Sequence, residues 1–237
     1  MRKFWHWVRN ETEGGEARTL FLNGVIAEET WFEDDVTPAA FKSELMAGDG
    51  AVTVVINSPG GDCIAASQIY CMLMDYPHPI TVKIDGLAAS AASVIAMAGE
   101  TVLMAPTAMM MIHNPLTIAM GDTEEMRRAI QMLNETKESI INAYELKTKL
   151  PRERISKLMD AETWMSAKKA MEYGFADGML YEGDEAQDSP NSYAFSCRAV
   201  TNSLMNKIKP QPPSEPEGPR ASALQMRLAL SQFLEDF

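Results

Sequence analysis

A chain of 237 residues, 46% hydrophobic and 23% charged, has room for one sizeable domain with a proper core plus appendages. Its 33 acidic residues outnumber the 21 basic ones, and the net charge of −12 argues against a nucleic-acid binder, whose phosphate contacts need clustered Lys and Arg. Three cysteines, Cys63, Cys71 and Cys197, have neither metal-ligand spacing nor the even count of a closed disulfide framework, so no metal is expected and reduced thiols point to a cytoplasmic setting.

In chain order, residues 1–17 are expected to be an N-terminal leader. It starts basic but meets charged residues before any apolar segment develops, so it does not look like a signal peptide; no apolar run in the chain is long enough for a membrane span. A strand is predicted over 18–26, ending at the Asn23-Gly24 turn signal. Thr37-Pro38 looks like an N-cap with Pro at the first helical position, opening a helix through Phe41 and Leu45 to about Gly48. The apolar run 52–56 (VTVVI) marks a strand buried on both faces, broken at Asn57-Ser58-Pro59-Gly60-Gly61. A helix carrying Ile64, Ile69, Leu73 and Met74 follows, then a strand over 80–84 that leads into a small-residue helix over 91–98. Short strands are predicted over 101–104 and 109–112. This alternation argues for an α/β domain with crossover connections. A long helix runs from Gly121-Asp122-Thr123 to about Lys149, and shorter ones cover 151–159 and 166–173, the last closed by Gly174. The domain is expected over 18–182, an acidic and Pro-rich linker over 183–220, and an amphipathic helix over 221–237 with Leu224, Leu228, Phe233 and Leu234 along one face.

The segment Gly86-Leu87-Ala88-Ala89-Ser90-Ala91-Ala92-Ser93 puts Ser90 where strand gives way to helix, where backbone N–H groups favour a developing oxyanion. Ser93 lies one turn further in. Taken alone, both serines are equally small residues that allow close packing. His113 follows an apolar run, whereas His6 lies in the leader and His78 between two prolines, so His113 is the best-placed imidazole base. Taken alone, it is equally a core histidine. Gly60-Gly61 is a tight turn, or a backbone able to approach a substrate and donate an N–H where a side chain would clash.

Together, Ile56 to Gly61, Gly86 to Ser90, Met111-Ile112-His113-Asn114-Pro115-Leu116, and Trp164 to Ala167 with Glu172 to Asp177 resemble the Clp protease family, meaning the ClpP proteolytic subunit and its phage and prophage relatives. The resemblance spans about 18–180. It implies a ClpP/crotonase-like α/β fold of repeated ββα units with a protruding handle helix, here the long helix after Gly121. It implies a serine endopeptidase with Ser90 as nucleophile and His113 as base, and Gly61 and Ala91 as the backbone N–H donors of the oxyanion hole. Ungapped alignment puts Glu162 at the triad acid, where the family carries Asp, with Asp160 as the alternative. No cofactor is implied.

The implied partners are a protein or peptide substrate and further copies of the chain in a ring. The leader does not look like the loops that contact a Clp ATPase. With the AETWM form of the acidic segment, it looks more like phage head maturation proteases, which cleave capsid or scaffold proteins in the host cytoplasm, within a prohead. Crotonase-like domains also stabilise enolates of acyl-CoA, but no convincing basic pocket for CoA phosphates stands out. A catalytically inactive structural component is the third reading.

Overall fold

The computed structural model describes residues 3–12, 15–26 and 37–181. The chain divides into two units, 1–204 and 205–237, and all described residues lie in the first. The linker expected over 183–220 and the helix over 221–237 lie outside the described residues. Among the described residues eight strands form one sheet: β1 (Trp5–Thr12), β2 (Gly15–Asn23), β3 (Val52–Ser58), β4 (Ile80–Ala89), β5 (Thr101–Met104), β6 (Met109–Ile112), β7 (Thr163–Ser166) and β8 (Gly178–Met179). The helices are α1 (Pro38–Met46), α2 (Cys63–Met74), α3 (Ala91–Ala96), α4 (Thr123–Thr148), α5 (Arg152–Asp160) and α6 (Ala167–Glu172).

The strand order β1-β2-β3-β4-β5-β8 is parallel from β2 onward, with β1 added antiparallel to β2. The inward residues of β2, β3, β4 and β5, among them Leu20, Leu22, Val54, Ile56, Val82, Ile84, Val102 and Met104, are fully buried. They pack in one core with Phe41 and Leu45 of α1, Ala65, Ala66 and Ile69 of α2, and the alanines of α3. Burying such side chains is the main stabilising term, at roughly 1.5–3 kcal/mol each. The helices start where the sequence supplies caps. Thr37 accepts from Ala40 N, Asp62 from Ile64 N and Ala65 N, and Asp122 from Glu124 N and Glu125 N.

Strand β4 divides its pairing. Thr81–Ile84 pair with β5, and Leu87–Ala89 pair with β6, which in turn pairs antiparallel with β7. The strand expected over 80–84 therefore continues five residues further, to Ala89. Helix α3 ends at Ala96 rather than at 98, and β7 and β8 have no counterpart in the predicted elements.

Residues before Arg18, expected as a leader, form β1 and the first part of β2. Trp5 is 2% exposed; its ring meets Phe41 edge-on at 5.3 Å and its Nε1 donates to Glu44 Oε2 at 2.7 Å. Next to this, the buried Arg18 guanidinium donates to the carbonyls of Glu44, Leu45 and Gly48, satisfying the end of α1. Trp5→Ala is expected to cost about 3–5 kcal/mol of unfolding free energy. Chemical denaturation checks this, and a loss below about 1 kcal/mol, the size of a surface substitution, would contradict β1 as part of the core.

Candidate active site

Ser90 directly follows β4 and is the residue before α3. Its backbone is at φ 55° and ψ −126°, a conformation that a non-glycine residue adopts only when its surroundings impose it. Three contacts do so. Ser90 N donates to Met111 O at 2.9 Å, and the Ser90 carbonyl accepts from both Ser93 N at 3.0 Å and Ser93 Oγ at 2.6 Å. Ser93 is fully buried, and its Oγ also lies 2.8 Å from the Tyr144 hydroxyl of α4. The Ser93 hydroxyl is thus committed to the core, and burial pushes the Tyr144 phenol pKa up.

The Ser90 hydroxyl makes no capping bond to α3. It meets His113 instead, with Nε2 2.7 Å from Oγ. The parallel register Ala89↔Met111 brings these residues together, because Ser90 and His113 each follow closely on the ends of adjacent strands. Burial lowers the His113 pKa below its ordinary value, and the charge of Glu162 opposes that shift. The imidazole is therefore neutral near pH 7, the form in which Nε2 can accept a proton.

Of the two carboxylates, Glu162 acts on the imidazole through its charge, without a hydrogen bond to it. Its Oε1 accepts from Trp164 Nε1 at 3.2 Å, and its backbone is left-handed at φ 46°. Asp160 Oδ1 is occupied by Lys137 Nζ at 2.6 Å and Asn114 Nδ2 at 2.8 Å. These contacts, that of Lys137 first, hold the Asp160 carboxyl below the usual range.

Gly60 and Gly61 lie against this turn. A Cβ on Gly60 would come within 2.7 Å of Ser90 Cβ and Ala89 O and 3.0 Å of Ala91 N. One on Gly61, at φ 152°, would come within 2.2 Å of Ile26 O. Ile26 N donates to Gly60 O and Asp62 N to Ile26 O, which leaves the Gly61 N–H outside that bridge. Ala91 is the first residue of α3, so its N–H has no partner within the helix. Sequence reasoning missed Tyr144, Lys137 and Trp164 as supports of the site. Trp164 stands inside a motif that carries the family resemblance, but nothing local marks the other two.

Among the described residues no cluster of His, Cys, Asp or Glu is placed to hold a metal ion, and no helix is long and apolar enough to cross a membrane. A cavity of about 370 Å³ lies elsewhere, lined by Tyr70, Leu73, Met97 and Leu146 among others and by none of the residues around Ser90 and His113.

A sequence model described as Clp protease matches residues 15–182. The ATP-dependent Clp protease proteolytic subunit 1 of Chlamydia muridarum is 33% identical over 70% of this chain and 88% of its own length. That of Chlamydia pneumoniae is 30% identical over 72% of this chain and 91% of its own. The ATP-dependent Clp protease proteolytic subunit of Leuconostoc citreum is 33% identical over 56% and 69%.

Because folded His113 takes up its proton less readily than the unfolded chain does, protonation opposes folding. That cost is absent well above the ordinary histidine pKa of about 6.5 and grows as pH falls through it. Titration of the His113 ring by NMR is expected to give a pKa below 6.5. Glu162→Gln, by removing the opposing charge, should lower it further. A rise in that variant would contradict this balance of burial and charge.

Proposed function

Since the chain belongs to the Clp protease family, we propose that it is a serine endopeptidase with Ser90 as nucleophile and His113 as general base. The 2.7 Å contact between Nε2 and Oγ, at a turn whose backbone is held in a strained conformation, carries this reading. With Nε2 accepting, the ring proton sits on Nδ1. Ser90 Oγ attacks the scissile carbonyl as its proton passes to Nε2. The carbonyl oxygen becomes an oxyanion held by the N–H groups of Gly61 and Ala91. His113 then gives the proton to the leaving amine, and water, activated by the same nitrogen, releases the acyl group from Ser90. Glu162 stabilises the transient imidazolium; its influence on His113 supports it over Asp160, which Lys137 and Asn114 occupy.

In this reading α4 is the handle helix, and the succession β3-α2-β4-α3-β5 belongs to the family's repeated units. A ring of identical subunits follows from the family. The exposed Leu116, Ile118 and Met120 before α4 and Ile130 and Met132 on it are apolar surface that such contacts would cover.

The finer proposal is a phage or prophage head maturation protease that cleaves scaffold or capsid proteins in the host cytoplasm. The form of the acidic segment supports it. Residues 5–12, whose sequence does not look like loops that contact a Clp ATPase, form strand β1. The names of the relatives favour a second reading, an ATP-dependent subunit that degrades unfolded proteins.

Hydrolysis of a fluorogenic peptide without ATP tests the chemistry. Ser90→Ala and His113→Ala are each expected to lower kcat by about 10³-fold or more. Variants that keep wild-type rates would overturn it. Degradation of an unfolded protein only when a Clp ATPase and ATP are added would decide for the second reading over the phage one.

A further inference from the structure

Strand β6 ends at Ile112, so His113 stands at the start of a stretch, 113–121, that is neither helix nor strand. Two side-chain hydrogen bonds join this stretch to other described residues: His113 to Ser90, and Asn114 Nδ2 to Asp160 Oδ1 at 2.8 Å. The first is made to the reacting atom and must yield during the reaction. The second is free to persist. The Asn114 amide can face Asp160 in one orientation only, since a flip would set two oxygens against each other. Its own Oδ1 is buried without a partner among the described residues.

The Asp160 side chain is 53% exposed, and besides Asn114 it is met by Lys137 first and by Ser156 of its own helix. Lys137 is the partner that ties it to a different helix. Its ammonium, on a side chain only 19% exposed, sits 2.6 Å from the same Oδ1 that accepts from Asn114. Exposed ion pairs add little stability, so what this one supplies is position. Lys137 belongs to α4, which is anchored in the core by Ile140, Ile141 and Tyr144. Tyr144 lies about two helical turns beyond Lys137, on the same face, and its hydroxyl meets the Ser93 hydroxyl that holds the Ser90 carbonyl. One face of one helix thus reaches the nucleophile's turn through Ser93 and the base's segment through Asp160.

We infer that Lys137 and Asp160 are positioning residues, which hold His113 in reach of Ser90 through Asn114 and reference both to α4. This rests on the protease reading of the site. It gives Asp160 a role distinct from that of the triad acid.

The test is steady-state hydrolysis of a fluorogenic peptide by the full chain and by Lys137→Met, Lys137→Arg, Asp160→Ala and the double Lys137→Met/Asp160→Ala variant. Lys137→Met and Asp160→Ala are each expected to lower kcat about tenfold with KM unchanged, the scale of a small misplacement of the base. Lys137→Arg should keep most of the activity, and the double variant should be no worse than Asp160→Ala alone, because the residues form one chain of contacts. A wild-type protein without activity would defeat the protease reading and this inference with it. With an active wild type, single variants within twofold of it, or losses that multiply in the double variant, would overturn the positioning role alone. A fall of 10³-fold or more in Asp160→Ala alone would also overturn it, making Asp160 the triad acid.

Discussion

Ser90 and His113 meet because β4 outlasts β5. Its first part pairs with β5, and its last three residues pass the parallel ladder to β6, with Ala89 opposite Met111. That register sets the ends of two adjacent strands side by side, and Ser90 N caps the arrangement by donating to Met111 O. The rest of the site depends on it. The backbone reversal at Ser90, the start of α3, and the close approach of Gly60 all fit around a strand end fixed to within one residue. A one-residue slip would turn the paired side chains to opposite faces of the sheet. The buried alanines of α3 and the tight space at Gly60 show how little clearance this junction has.

Electrostatics divides the work among three groups close in space. Burial keeps His113 neutral, Glu162 partly offsets that burial, and Asp160 is neutralised locally by Lys137. In the proposed mechanism the imidazole becomes positive only transiently. A carboxylate that acts on it without a hydrogen bond in the resting state can stabilise that charge as it forms. The left-handed backbone of Glu162 and the indole of Trp164 hold that carboxylate in range.

Much of the fold was readable from local pattern. The apolar run at 52–56, the strand pattern at 80–84, the Thr37-Pro38 start and the Gly121-Asp122-Thr123 start all correspond to observed elements, because each signal lies within its own segment. What was hidden depended on distant partners. The strand expected over 80–84 runs on to Ala89 because β6 lies beyond to pair with Leu87–Ala89. Trp5 and Trp7 belong to a strand only because β2 returns alongside them. At the site, the residue types that bear chemistry were visible, and the resemblance linked them. Lys137, whose hold on Asp160 bears on the proposed preference for Glu162, belongs to another helix, and no local spacing reveals it.

In the proposed mechanism Ser90 is an activated nucleophile, while Ser93, three residues on, is a structural hydroxyl. Treatment of the purified full chain with a fluorophosphonate, followed by peptide mapping, tests this most directly. One adduct is predicted, on Ser90, lost in His113→Ala, with Ser93 unmodified. An adduct on Ser93, or labelling of Ser90 that survives the loss of His113, would contradict it.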